Sequence, residues 1–147
     1  MMNSVDILLV EDNPYDAELM VNALKKCEFA KHIQIVQDGE EVLDFVYANG
    51  AYAARDIDIQ PKVIFLDIKL PMIDGFEILQ RLKADDRTKS IPIVVLTSSE
   101  AEKDIESSYN LGANSYLVKP MDFAALSQFI YQVAFYWLVL NIQNQRS

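Results

Sequence analysis

The strongest constraint on this chain is an alternation. Five short apolar runs, Ile7–Val10, Ile33–Val36, Val63–Leu66, Ile93–Leu96 and Tyr116–Val118, are separated by segments with helical spacing. The first, third and fourth runs are continuous and rich in Val, Ile and Leu. Strands buried on both faces read this way, because a parallel sheet covered by helices leaves no polar face. Ile33–Val36 and Tyr116–Val118 are weaker runs and belong nearer the sheet edges. The intervening segments open with a capping residue followed three positions later by an acid: Asn13…Asp16, Asp38…Glu41, Asp74…Glu77 and Ser99…Glu102. Asp122 caps the last helix without a second acid. Pro14 fits the first helical position, where a missing N–H costs nothing. The pattern predicts an α/β fold, (βα)5, with a doubly wound five-stranded parallel sheet. The one long connection, Tyr47–Lys62, reads as an extended loop after the second helix.

Sheets of this kind hold their sites at the carboxyl ends of the strands. Glu11 and Asp12 follow the first run, Asp67 the third, Thr97 the fourth, and Lys119 and Pro120 the fifth. In a parallel sheet these residues share one rim. Three clustered carboxylates repel one another, and a hard divalent cation such as Mg²⁺, which takes oxygen ligands, removes that conflict. An ammonium and a hydroxyl beside them suit phosphoryl transfer to an aspartate, a reaction governed by positioning and electrostatics. Asp67 is then the nucleophile, and the apolar strand behind it supplies rigid support.

The totals narrow the partners. The 147 residues suit one domain, and a formal net charge of -9 argues against direct nucleic-acid binding, which depends on phosphate neutralisation. A single cysteine, Cys27, excludes an internal disulfide and fits a cytoplasmic setting. The longest unbroken apolar run, Val133–Leu140, is far shorter than the roughly 20 residues of a spanning helix, so no membrane role is expected. His32 has no second His or Cys near it and is not read as a metal ligand.

The segments ILLVEDNPYDAELM, VIFLDIKLPMIDGFEIL, IPIVVLTSS and GANSYLVKPMD together resemble the receiver domain of two-component response regulators. The resemblance spans almost the whole chain and implies a flavodoxin/CheY-like three-layer sandwich. It implies Asp67 as phosphoacceptor for a sensor histidine kinase, with Mg²⁺ held by Glu11, Asp12, Asp67 and the main-chain carbonyl of Lys69. It further implies Thr97 as switch hydroxyl, Tyr116 as switch aromatic, Lys119 as phosphate partner and a cis Lys119–Pro120 bond. The output is then a change in the face made by the fourth helix, fifth strand and fifth helix. Residues 1–147 are expected to form a single receiver domain with no output domain. Lys69 and Ser99 fall where the family tunes phosphate lifetime. The extended loop and the aromatic end of the last helix are similar to regulators partnered with phytochrome-type kinases. A chemotaxis-type regulator and a receiver-like adaptor that takes no phosphate are the alternatives. An aspartyl-phosphate phosphatase needs an acid two residues after its nucleophile, where this chain has Lys69.

Phe123, Leu126, Ile130, Val133 and Trp137 follow helical spacing and are expected to face the core. Phe129, Tyr131, Phe135, Tyr136, Leu138 and Val139 do not all fit that same stripe. A helix apolar nearly all round must be covered on more than one side, which predicts a homodimer through it.

Overall fold

The computed structural model describes residues 4–143. Five parallel strands, β1 (Ile7–Val10), β2 (Ile33–Val36), β3 (Val63–Leu66), β4 (Ile93–Thr97) and β5 (Ser115–Val118), lie in the order β2-β1-β3-β4-β5. They alternate with α1 (Pro14–Lys25), α2 (Gly39–Tyr47), α3 (Gly75–Ala84), α4 (Glu102–Asn110) and α5 (Phe123–Phe135). The two weaker apolar runs are the edge strands.

Side-chain alternation along the strands makes two cores. Ile7, Leu9, Val63, Phe65, Val94 and Leu96 pack with Met20 and Leu24 of α1 and with Leu126 and Ile130 of α5. Leu8, Val10, Ile64, Leu66 and Ile93 pack with Val42 and Phe45 of α2 and with Ile78, Leu79 and Leu82 of α3. The central strands are buried on both sides, which is why they read as unbroken apolar runs.

Four helices start on a side-chain cap. Asn13 accepts from the N–H of Tyr15 and Asp16, Asp38 from Glu41, Asp74 from Glu77 and Asp122 from Ala125. The fourth helix departs from expectation. It begins at Glu102, its N-cap Ala101 offers no side-chain oxygen, and Ser99 lies in the preceding loop. There the Ser99 hydroxyl donates to Asp104 Oδ2 at 2.6 Å and accepts from Ala101 N–H at 3.2 Å.

The connection after α2 is anchored along its length. Ala48 closes α2 in a left-handed conformation (φ 56°, ψ 50°), and a 3₁₀ turn follows at Gly50–Tyr52. The Tyr52 hydroxyl donates to Glu41 at 2.7 Å. The Arg55 guanidinium lies 3.9 Å from the Phe45 ring centroid and donates to the carbonyls of Phe45 and Ile59.

In α5, Leu126, Ile130 and Val133 are buried as expected and Trp137 packs against the same core. Phe123, the first residue of the helix, is instead 68% exposed and lies beside Tyr15 and Leu19 of α1, outside the core. The helix continues into a π turn, Tyr136–Leu140. Part of its aromatic surplus is used internally: Tyr131 and Phe135 both meet Phe29 edge-on at 5.5 Å. By length and composition the stretch Phe123–Leu140, mean hydropathy 1.5, passes as a membrane-spanning helix. Its buried stripe lies on the sheet, so core packing accounts for part of that apolar character.

Candidate functional site

Strand register assembles the rim. Val10 pairs with Leu66 and Leu66 with Val95. The next residues, Glu11 and Asp67, therefore lie abreast at the ends of β1 and β3, and Thr97 lies two residues beyond Val95 on β4. The ladder extends into the site: Asp67 N–H donates to Val10 C=O at 3.3 Å and Lys119 N–H to Thr97 C=O at 2.8 Å. Glu11, Asp67, Thr97 and Lys119 are all buried, whereas Asp12 is exposed. A carboxyl group seldom lies buried beside two others, so this grouping calls for a counter-charge.

Glu11, Asp12 and Asp67 each present one carboxylate oxygen within 4.8 Å of the others. Three hard oxygen donors on the lip of a sheet fit a divalent cation. Lys69 N–H donates to Asp67 Oδ1 at 2.9 Å, so the Lys69 main chain lies beside that carboxylate. The Lys119 ammonium sits among the acids, 2.7 Å from Glu11 Oε1, 3.4 Å from Asp67 Oδ2 and 3.3 Å from Asp16 Oδ2.

Burial raises the Glu11 carboxyl pKa, and the Lys119 hydrogen bond only partly counters it. For Lys119, burial alone would lower the pKa. The hydrogen bond to Glu11 and the charges of Glu11, Asp67 and Asp16 outweigh it and hold the ammonium above its ordinary value. Lys119 is thus a firmly charged group within reach of Asp67.

On the other side of the rim, the Tyr116 hydroxyl donates to Ser99 C=O at 2.9 Å, and Ser99 N–H points to Thr97 Oγ1 at 3.4 Å. The two anticipated switch positions therefore meet through the β4–α4 loop. The expected cis Lys119–Pro120 bond is not found: no cis peptide occurs among the described residues. The trans bond still delivers Lys119 to Glu11 and Asp67, and the two isomers before proline differ little in energy.

Gly75 explains the tight turn after Asp67. Its N–H donates to Ile68 C=O at 3.1 Å, and a Cβ there would collide with the Ile68 backbone. Two charged residues of the rim were not singled out from sequence. Asp16 read as a capping acid but reaches Lys119, and Asp104 pairs with Lys69 at 3.2 Å. The only sequence signal for either was a place in the first turn of its helix.

The response regulator receiver domain model matches residues 7–131. The probable methanogenesis regulatory protein FilR2 of Methanothrix harundinacea is 36% identical over 135 residues, covering 92% of this chain and 84% of that protein. Response regulator Rcp1 of Synechocystis sp. is 36% identical over 132 residues, covering 90% and 88%. The Mn²⁺-bound form of Rcp1 superposes with a TM-score of 0.88 at 33% identity over 96% of this chain and 99% of that one. The phosphorylated cyanobacterial phytochrome response regulator RcpA gives 0.89 at 34% identity over 97% and 99%.

Proposed function

We propose that this chain, which belongs to the response regulator receiver domain family, takes a phosphoryl group on Asp67 from a sensor histidine kinase of the phytochrome type. The observation that carries the reading is the placement of Asp67 at the rim, with the Lys119 ammonium 3.4 Å away and Glu11 and Asp12 beside it. An Asp67 carboxylate oxygen attacks phosphorus, the new P–O bond forms as the donor's P–N bond breaks, and the P–N bonding pair leaves on the donor imidazole nitrogen, which takes a proton from solvent. Lys119 neutralises charge on the phosphoryl oxygens. Glu11, Asp12, Asp67 and the Lys69 carbonyl would hold Mg²⁺, which when bound would offset the crowded negative charge. Thr97 moves to the phosphoryl group, and Tyr116, linked to the same loop through Ser99, carries the change to the surface formed by α4, β5 and α5.

The chain is a phosphoacceptor rather than a conventional enzyme; its own chemistry is limited to uptake from small donors and loss of its phosphate. The near full-length match to RcpA and to Rcp1 supports a cytoplasmic receiver-domain regulator, and RcpA, a cyanobacterial phytochrome response regulator, supports the phytochrome-type partner. We further propose a homodimer through α5. Its support is the apolar surface left over there: Tyr131, Tyr136, Val139 and Leu140 are exposed, beside a hollow of about 490 Å³ lined by Leu117, Phe129, Val133 and Trp137.

A phosphotransfer assay tests the reading. A phytochrome-type kinase carrying labelled phosphohistidine should transfer label to the wild type and not to Asp67→Asn. Thr97→Ala should take label yet lose the change in amide exchange over α4–β5–α5; an undiminished change would remove Thr97 from the switch. Sedimentation should find a dimer at high micromolar concentration, and a monomer with and without phosphate would remove the α5 interface.

A further inference from the structure

Outside the carboxylate cluster, Lys69, Asp104 and Ser99 form a compact group of their own. The Lys69 main chain is hydrogen-bonded to Asp67, but its ammonium pairs with Asp104 Oδ2 on α4 at 3.2 Å. The same Asp104 oxygen accepts the Ser99 hydroxyl at 2.6 Å. Ser99 in turn carries the Tyr116 hydroxyl on its carbonyl and faces Thr97 through its N–H. One carboxylate therefore joins the Asp67 turn, the β4–α4 loop and the first turn of α4. That helix has little else to hold its start: it lacks a side-chain cap, and Ser108 is its one buried residue.

We infer that Asp104 is an anionic latch, a positioning residue that holds Lys69 and Ser99 on α4 until a phosphoryl group on Asp67 draws Lys69 away. The inference rests on Asp67 being the acceptor. A phosphoryl group brings close to two negative charges and three acceptor oxygens. It would arrive two residues from Lys69, in competition with a single carboxylate. Loss of Lys69 leaves Asp104 with Ser99 alone and loosens the start of α4.

Beryllofluoride, a phosphoryl mimic, tests this in titrations with Mg²⁺. Asp104→Asn frees Lys69 and should tighten beryllofluoride binding about two- to fivefold, the scale of a half-exposed ion pair. Asp104→Glu keeps the charge and should return the affinity to near wild type. In a Lys69→Met background, Asp104→Asn should have no effect, since its partner is gone. Unchanged affinity in Asp104→Asn, or an equal gain in the Lys69→Met background, would overturn the latch while leaving Asp67 as acceptor. Failure of the wild type to bind beryllofluoride would overturn the acceptor reading, and the latch with it.

Discussion

Asp6 and Asp67 are the same residue type, almost equally buried at 7% and 6% exposure, at opposite ends of neighbouring strands. Asp6, just before β1, accepts from the N–H groups of Lys31 and His32 at 2.9 and 3.0 Å and from the Lys62 ammonium at 3.1 Å. Burial raises its pKa, but these three donors prevail and the carboxyl stays below its ordinary value. Asp67, just after β3, accepts one main-chain N–H and shares a more distant ammonium with Glu11 and Asp16, while Glu11 and Asp12 crowd it. Burial therefore does not distinguish a structural acid from the proposed acceptor. The balance of donors to anions does: Asp6 is satisfied by its own fold, and Asp67 is left to be completed by something else.

Exchange of each aspartate for asparagine separates the two roles. Asp67→Asn should abolish phosphoryl uptake while leaving stability without metal unchanged or up to ~1 kcal/mol higher, because a like charge is removed and Lys119 keeps Glu11 and Asp16. Urea titrations with uptake assays check both parts; a strongly destabilised variant would break the contrast.

Magnesium should sharpen it. At a hundred times its dissociation constant it should stabilise wild type and Asp6→Asn by ~2.7 kcal/mol and Asp67→Asn far less. Equal stabilisation of all three would place the ion elsewhere.

Asp6→Asn should lose ~1–2 kcal/mol at neutral pH, with uptake intact. The sign with pH follows from the depressed carboxyl. Its contribution is complete above the unfolded value near 3.8 and disappears as pH falls through the lower folded value, so the deficit should shrink only in that acid range. A deficit that shrinks between pH 7 and 5 would point to another group.

The smallest effect is expected at Ala48, where α2 ends on the amino-terminal side of the sheet. Glycine suits its left-handed conformation, so Ala48→Gly should add ~0.5–1 kcal/mol without altering uptake. Any loss of stability in denaturant melts would contradict this.

The sheet and the residues at its carboxyl rim were legible because both follow from chain order. Continuous apolar runs mark buried strands, and parallel pairing places Glu11, Asp67 and Thr97 at one end whatever the helices do. What sequence hid depends on helix rotation and side-chain reach. Asp16 and Asp104 lie in first turns where acids commonly oppose the helix dipole, and nothing local shows that one reaches Lys119 and the other Lys69. Ser99 resembled a cap because its spacing to Glu102 was right, but its hydroxyl is taken by Asp104 and the helix starts later. Phe123 fits the apolar stripe of α5 yet, as its first residue, stays exposed beside α1.

The most direct test of the proposed acceptor is the intact mass after incubation with Mg²⁺ and acetyl phosphate. The wild type should gain one phosphoryl group, and neither Asp67→Asn nor metal-free wild type should gain any. A phosphoryl group retained in Asp67→Asn would contradict the central claim.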